Sequence, residues 1–243
     1  ILNQVRMPEW NRADLNGIVA ACRTAGRRVQ ELCDRFGVET YLAALEALLD
    51  RNYRAMKTLL TTIFADGETI SFTDYICDDG VGYGPYELKL SLTRTGDKVV
   101  LDFTGSSPQA QGPVNYYVNE NLVRMFFGIY MITVADPQIL WNDGYYPLID
   151  VVIPDASYWK PKYPAALNAR NHGVGRIFDL FGGLLGQKNP SLLNAAGFSS
   201  SPHFMYSGNY TSPDRKGEWF QLYSIGFGGI PGRPIGDGPD GHS

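Results

Sequence analysis

Five consecutive residues, Asn168-Ala169-Arg170-Asn171-His172, place amide, guanidinium and imidazole groups directly before an apolar stretch that predicts a buried helix. Side chains in the first turn of a helix can face a cleft. An arginine flanked by two asparagines can hold a carboxylate or orient a carbonyl group, and a neighbouring histidine can exchange a proton near neutral pH. The residues alone favour a second interpretation, in which the segment caps the helix and serves a structural hydrogen-bond network.

A second polar segment runs from Leu101 to Gln109 and is followed by Gly112-Pro113-Val114-Asn115. It begins as a predicted strand, ends in an acid and an aromatic residue, and continues into hydroxyl and glycine residues. A strand of this kind delivers polar groups to the edge of a sheet. On physical grounds alone the segment is either a binding loop or a turn.

Nucleotide and metal sites of the common kinds are not expected. The sequence has no Gly-x-x-x-x-Gly-Lys-[Ser/Thr] motif. Gly105 leads into Pro108 rather than into a helix, which removes the dipole argument for phosphate binding. None of the histidines (His172, His203 and His242) has a ligand partner three or four residues away, so a metal site built only from this chain is not expected.

Composition argues against further classes of protein. The net charge of −4, without a cluster of Lys or Arg, disfavours a nucleic-acid partner. No apolar run reaches the ~18 residues of a membrane span. No two of the cysteines have metal-ligand spacing, which is typical of reduced thiols in a cytoplasmic protein. We interpret the acidic pairs Asp78/Asp79 and Asp237/Asp240 as solvated turns rather than acid/base dyads.

The elements that must position these residues begin with two helices. Asp14 is a plausible N-cap of the first, and Gly37 ends it. Both helices carry apolar residues at three-four spacing: Leu15, Ile18, Val19, Cys22, Val29, Leu32, Cys33 and Phe36, then Leu42, Leu45, Leu49, Tyr53, Met56, Leu59, Leu60 and Ile63. We predict a helical hairpin over residues 10–66, linked by Gly37-Val38-Glu39, which should dock on something larger.

From Glu68 onward the period changes to that of strands, and Gly67 is the best composition boundary. A β-hairpin with one wet face is predicted around Thr95-Gly96-Asp97. Buried helices are predicted over residues 118–134 and 173–186, and shorter strands over residues 149–153, 204–206 and 219–225. The Gly182-Gly183 pair indicates close packing of the second of these helices. The predicted class is α+β: the helical hairpin packed on a mixed or antiparallel sheet domain, residues 67–243, with buried helices.

Short motifs occur in a fixed order along most of the chain. They are Asp102-Phe-Thr-Gly-Ser-Ser-Pro-Gln109, Gly112-Pro-x-Asn115, Asn142-Asp-Gly144, Pro154-x-x-Ser157, Pro161, Pro164-Ala165, Asn168-x-Arg170, Gly228-Gly229 and Asp237-Gly-Pro-Asp-Gly241. With the helical pair ahead of them, their order resembles the middle of a subunit of the hydantoinase B/5-oxoprolinase family (N-methylhydantoinase B-like). The aromatic run over 116–130 and the end of the chain look most similar to acetophenone-carboxylase-type subunits. We therefore expect the chain to be an internal fragment of a longer subunit.

The resemblance implies a division of labour between subunits. A hydantoinase A-like partner binds ATP with Mg and phosphorylates a carbonyl or enol oxygen of a ketone or cyclic amide, and further subunits complete a hetero-oligomer. The B-type subunit handles the activated species, by carboxylation in ketone carboxylases or by hydrolysis in oxoprolinases and hydantoinases. The resemblance also implies that any Zn or Mn is held by family residues outside this segment.

For this chain the resemblance implies a cleft lined by the two polar segments. Arg170, His172 and Asn168 are the candidate catalytic residues. The candidate substrate-binding residues are Asp102, Thr104, Ser106, Ser107, Asn115 and His203. Departures from the family pattern, such as Ala156-Ser157, leave the substrate open. A non-catalytic scaffold segment of such a complex is the alternative hypothesis.

Overall fold

The computed structural model describes residues 2–5, 8–193, 195, 203–225, 232–234 and 236–237. Within them the helices are α1 (Pro8–Phe36), α2 (Val38–Ile63), α3 (Glu120–Ala135) and α4 (Asn171–Lys188). The strands are β1 (Thr69–Ile76), β2 (Tyr86–Thr95), β3 (Lys98–Asp102), β4 (Ile149–Val152), β5 (His203–Asn209) and β6 (Glu218–Ile225). Short 3₁₀ helices cover Leu2–Gln4, Asp143–Leu148 and Pro190–Leu192. The predicted α+β class, with helices first and a mixed sheet after them, is confirmed.

The link between the first two helices is one residue, so the predicted link Gly37-Val38-Glu39 is wrong. Gly37 has a φ of 84°, which ends α1, yet hydrogen bonds of helical spacing cross the junction. The amide of Gly37 donates to the carbonyl of Cys33 (2.8 Å), and that of Tyr41 donates to the carbonyl of Gly37 (3.0 Å). The helix therefore restarts at once, at Val38.

The chain divides into two compact units, Ile1–Arg51 and Asn52–Ser243, and the division falls inside α2. No residue of α1 is buried. In α2 only Asn52, Met56 and Leu60 are buried, and all three belong to the second unit. The sequence-based division into residues 10–66 and 67–243 stays a prediction about domains.

A four-stranded sheet in the order β1-β2-β3-β4 organises the second unit. The β1/β2 and β2/β3 pairs are antiparallel, and β3/β4 is parallel. The alternating sequence of β2 buries Leu88, Leu90 and Leu92, as expected of a strand with one wet face. Strands β5 and β6 form a separate antiparallel pair.

Close approach of α4 to its neighbours explains the glycine pair in that helix. A Cβ on Gly183 would collide with the ring of Phe72 in β1, and one on Gly182 would lie 2.9 Å from the hydroxyl of Tyr130 in α3. The close packing predicted from Gly182-Gly183 is therefore confirmed. Among the described residues, none of the helices is long and apolar enough to cross a membrane.

Candidate functional site

The loop from Phe103 to Asn119, which we call the pinned loop, is fixed along its length by backbone hydrogen bonds to residues 154–160. These bonds join Ser107 to Tyr158 (3.0 Å), Gln109 to Ala156 (2.9 Å), Tyr116 to Tyr158 (3.1 Å) and Val118 to Trp159 (2.9 Å). Phe103 also donates to Val152 at the end of β4 (3.0 Å). A loop bonded this often behaves as part of the sheet rather than as a flexible connection.

The two predicted substrate-binding serines attach the pinned loop to β2. The Ser106 hydroxyl accepts from the Lys89 amide (3.0 Å) and from Trp159 Nε1 (3.1 Å), and it donates to the Lys89 carbonyl (3.1 Å). The Ser107 hydroxyl accepts from the Glu87 amide (2.8 Å). Because a hydroxyl offers one donor and two acceptor positions, a substrate contact by Ser106 would have to replace one of these bonds.

Asn115 is fully buried and closes the pinned loop onto itself. Its Oδ1 accepts from the Ala110 amide (2.7 Å), and its Nδ2 donates to the carbonyls of Ala110 (2.9 Å) and Gly112 (3.2 Å). The same Nδ2 also donates to the carbonyl of Ala166 (3.1 Å), on the segment that leads to α4. The Asn115 side chain therefore positions two backbone segments relative to each other.

Asp79 holds the other side of this loop, and sequence reasoning missed it. Its Oδ1 accepts from the amides of Val81 and Tyr83 (3.0 Å each), and its Oδ2 accepts from the Tyr86 hydroxyl (2.9 Å) and the Gly112 amide (2.8 Å). The solvated-turn interpretation of Asp78/Asp79 is therefore wrong for Asp79, which is buried, whereas Asp78 is exposed. The glycines near Asp79 were the signal in the sequence that could have revealed this role, because Gly112 lets the backbone of the pinned loop come close to the Asp79 side chain.

The surroundings of Asp79 stabilise the charged form of its carboxyl group. Burial alone would raise the pKa of its carboxyl group. Hydrogen bonds from Tyr83, Val81, Tyr86 and Gly112 favour the charged form more strongly and lower the pKa to about 2. The carboxylate is thus charged at neutral pH and has four donors, which leaves it little capacity for a substrate.

The start of α4 lies against the pinned loop. The amide of Ala169 donates to the carbonyl of Pro113 (2.8 Å), and a Cβ on Gly173 would lie 2.8 Å from Tyr116 Cβ and 3.0 Å from the Tyr158 hydroxyl. Gly173 is therefore a glycine because two tyrosines pack against the first turn of the helix. This contact brings Asn168, Arg170 and His172 to the edge of the pinned loop.

The predicted catalytic side chains at this edge are exposed. Asn168, Arg170 and His172 all face solvent. Arg170 occupies the N-cap position of α4, but its side chain makes no capping hydrogen bond. Because an arginine side chain has only donors, this does not test the capping interpretation of the whole segment, which stays a prediction. An exposed guanidinium can bind an anionic ligand.

Two buried phenols lie beneath this edge. Burial raises the pKa of Tyr116, and the charge of the nearby Arg170 opposes that rise. Burial also raises the pKa of Tyr158, whose hydroxyl has no hydrogen-bond partner among the described residues. Both phenols are therefore neutral at physiological pH.

The remaining predicted residues lie elsewhere or serve turns. Asp102 Oδ1 accepts from the Thr104 amide (2.8 Å), which forms a turn at the end of β3 next to the serines. His203 is the first residue of β5 and pairs with Ile225, and its side chain lies outside the described residues. Outside them too are Gly228-Gly229 and most of 237–241. The structure thus places Asn115 against the segment that carries Asn168, Arg170 and His172, and it places Asp102 in a turn with Thr104.

Neither a phosphate chain nor a resident metal fits the residues of the pinned loop. The amides of Ser106 and Ser107, which a phosphate would need, donate instead to the carbonyls of Phe103 (3.2 Å) and Glu87 (2.8 Å). Within the described part of the chain, no three His, Cys, Asp or Glu side chains cluster as metal ligands.

The sequence matches the profile of the family described as Hydantoinase B/oxoprolinase over residues 1–243. The chain belongs to this family. It is 24% identical over 229 residues to the uncharacterized protein MJ0963 of Methanocaldococcus jannaschii, covering 94% of this chain and 38% of that protein. It is 28% identical over 166 residues to the caprolactamase subunit beta of Pseudomonas jessenii, covering 68% of this chain and 28% of that subunit. The chain thus spans about a third of the length of these relatives.

Solved structures of two enzymes share the fold. The ATP-dependent caprolactamase from Pseudomonas jessenii superposes with a TM-score of 0.73 at 22% identity, over 88% of this chain and 36% of that one. The nucleotide-free structure of acetone carboxylase superposes with a TM-score of 0.76 at 16% identity, over 98% of this chain and 33% of that one. At these identities the likeness establishes the fold of this chain, and its chemistry has to be argued from its residues.

Proposed function

We propose that this chain forms one wall of the reaction chamber of a hydantoinase B-type subunit, in an ATP-dependent enzyme built from several subunits. The observation that carries the proposal is the exposed Arg170 together with the exposed His172 at the start of α4. Asp79, Ser106, Ser107 and Asn115 are hydrogen-bonded within the protein, whereas the side chains of Asn168, Arg170 and His172 are exposed. Among the exposed groups Arg170 supplies a positive charge, which suits an anionic substrate.

The ATP and Mg belong to a hydantoinase A-like partner in this proposal, and they supply the phosphoryl group that activates a substrate carbonyl. Arg170 then binds the phosphoryl or carboxylate oxygens of the activated species through charge-assisted hydrogen bonds. His172, two residues after Arg170 in the first turn of α4, donates to the substrate oxygen or accepts a proton from it. Asn168 orients the carbonyl group. The pinned loop holds these groups in place through the Asn115–Ala166 and Ala169–Pro113 bonds.

Within this class we propose a ketone carboxylase first, of the acetophenone type, and a cyclic amide hydrolase as the alternative. The first is supported by the resemblance of the 116–130 run and the end of the chain. Its aromatic residues give less support, because Phe126, Phe127 and Tyr130 pack against Phe178 and Phe181 of α4 as core. The alternative is supported by the identity to a subunit named caprolactamase.

Labelled bicarbonate separates the two reactions. The complete subunit and its ATP-using partner are incubated with ATP and either a small ketone or a lactam. Incorporation of label into acid-stable product with the ketone supports carboxylation. Ring opening of the lactam without bicarbonate supports the hydrolase. ATP consumption without either product contradicts both assignments.

Arginine variants of the complete enzyme test the role of the start of α4. Removing a group that stabilises developing negative charge costs roughly 10²–10³ in turnover, so Arg170→Ala is expected to lower product formation about 100-fold. Arg170→Lys should recover part of it, since lysine keeps the charge and loses the bidentate geometry. Arg215→Ala, on the exposed loop between β5 and β6, is the matched control and should keep full activity.

A scaffold role gives the opposite pattern. If the enzyme that carries both Arg170→Ala and His172→Ala assembles normally and has the parental turnover rate, the chemistry lies elsewhere and the proposal of a chamber wall is wrong. If both variants fail to assemble, the start of α4 is an interface rather than a binding site. Size-exclusion chromatography of the complex, run before each assay, distinguishes these results.

A further inference from the structure

The hydroxyl of Tyr158 is buried beneath the start of α4 and has no hydrogen-bond partner among the described residues. The residue is fixed in place, since its amide donates to the carbonyl of Ser107 (3.0 Å) and its carbonyl accepts from the amide of Tyr116 (3.1 Å). Its ring packs edge-on against Trp159, with 5.1 Å between the ring centroids. A buried hydroxyl that stays unpaired destabilises a folded chain. Phenylalanine would fill the same space without that cost, so packing does not explain the hydroxyl.

Other tyrosines of this chain have hydroxyls with a structural role. The buried Tyr145 donates to the carbonyl of Arg124 (3.1 Å), and the half-buried Tyr86 donates to Asp79 Oδ2 (2.9 Å). Each of these hydroxyls joins two parts of the chain. Tyr158 makes no such bond among the described residues. Exceptions of this kind are expected at functional sites, where a protein gives up stability for activity.

The Tyr158 hydroxyl faces one side of the start of α4. A Cβ on Gly173 would lie 3.0 Å from it. Arg170, Gly173 and Arg176 follow one another at intervals of three residues and therefore share one side of the helix. Burial raises the pKa of Tyr158, and the nearby charge of Arg176 opposes that rise. The phenol thus lies under a glycine that is flanked by two arginines.

The two arginines have different roles. Arg176 donates to Asp74 of β1 (2.9 Å) and forms an ion pair with Asp179 (2.8 Å), so its charge is balanced and it ties α4 to the sheet. Arg170 is exposed. An anionic ligand at the start of α4 is therefore expected at Arg170, on the same side of the helix as the phenol.

The first turn of α4, which covers the hydroxyl, is weakly held. Its amides make long hydrogen bonds, from His172 to Ala169 and from Val174 to Arg170 (3.3 Å each), where about 2.9–3.0 Å is typical. Gly173 adds backbone freedom because it has no Cβ. A small shift of this turn would uncover the hydroxyl, and Gly173 has no side chain to stand in the way.

We propose that Tyr158 is a catalytic donor in the working enzyme, an inference that rests on the proposed function of the start of α4. When the activated, anionic substrate binds at Arg170 and His172, the first turn of α4 shifts at Gly173. The Tyr158 hydroxyl then donates a hydrogen bond to the substrate oxygen that gains negative charge, which stabilises the transition state. The hydroxyl is thus unpaired in the free protein, at a cost in stability, and is paired when substrate is bound.

Tyr158→Phe in the complete subunit, assayed with its ATP-using partner, tests the proposal. Turnover should fall about 100-fold, as for the loss of one donor to a developing oxyanion, and KM should stay within a few-fold. Without substrate, the thermal midpoint of this variant should equal or exceed that of the wild-type subunit, because an unpaired buried hydroxyl has been removed. Tyr145→Phe is the matched control. It removes a buried hydroxyl that is bonded to the Arg124 carbonyl, so it should lower the midpoint and keep the wild-type turnover.

Two results overturn the proposal. Wild-type turnover of Tyr158→Phe would show that the hydroxyl does not contact the reacting group. A lower thermal midpoint of Tyr158→Phe would show that the hydroxyl already has a partner in the free subunit.

The Arg170→Ala variant separates this inference from the proposed function. If Arg170→Ala loses turnover and Tyr158→Phe does not, the proposal of a chamber wall stands and the role of the phenol is wrong. If Tyr158→Phe loses turnover and Arg170→Ala does not, the substrate does not lie at Arg170, and the arrangement proposed for both residues is wrong.

Discussion

The pinned loop and the start of α4 contact each other and use their polar side chains in opposite ways. The buried amide of Asn115 in the loop, and the buried carboxylate of Asp79 that bonds to it, take part in four hydrogen bonds each. At the start of α4, Arg170 and His172 are exposed, and Arg170 makes no capping bond. Two neighbouring polar regions thus separate into one that fixes backbone geometry and one that can bind a ligand.

The largest difference in the free energy of unfolding should be between variants of two asparagines, one in the pinned loop and one just before α4. Asn115→Ala leaves several buried backbone groups without partners, at about 1–3 kcal/mol for each group that stays unsatisfied, so a loss of about 3–5 kcal/mol in the free energy of unfolding is expected. Asn168→Ala, at an exposed position, should change stability by less than about 0.5 kcal/mol. Urea denaturation of both variants measures the difference. Equal losses would mean that the two regions are not distinct.

A smaller effect is expected where glycine lets the two sides of the loop meet. A Cβ on Gly112 would lie 2.7 Å from the side chain of Asp79. Gly112→Ala should therefore displace the carboxylate and destabilise the chain by about 1–3 kcal/mol, as overpacking does. Gly17→Ala, in α1 with nothing within 4 Å of the added methyl, is the control. It should be neutral or stabilising by up to about 1 kcal/mol. Urea midpoints of the two variants that coincide would contradict the packing argument.

Features that depend on local sequence patterns could be predicted from the sequence, and features that depend on contacts between distant residues could not. The alternation in β2, the apolar runs of α3 and α4 and the glycine pair 182–183 are local patterns, and they predicted those elements. The restart of the helix at Val38 was missed because glycine with positive φ is typical of a helix end. Sequence carries the type of each residue, but not the backbone groups that it meets after folding.

The candidate site shows this limit most clearly. Asn115 and Ala166 are 51 residues apart, and Asp79 and Gly112 are 33 apart. No spacing rule relates such pairs, so the sequence predicted a solvated turn for Asp79. Arg170 and His172 were found because adjacent polar residues before an apolar helix are visible in the sequence. Whether they bind substrate stays a prediction.

The smallest effect, and the most specific to the pinned loop, is a dependence of stability on pH. The pKa of Asp79 is about 2 in the folded chain, below its ordinary value of 3.8. A carboxyl group whose pKa is lowered by folding contributes stability above its ordinary pKa and loses that contribution as the pH falls through the folded value. The urea midpoint of the wild-type chain should therefore be higher than that of Asp79→Asn, and the difference between the two midpoints should be constant above pH ~4.5. Between pH ~4 and 2 this difference should shrink. Asp78→Asn, the exposed neighbour, should show no such narrowing. A margin for Asp79→Asn that stays constant down to pH 2 would show that shape rather than charge holds the loop.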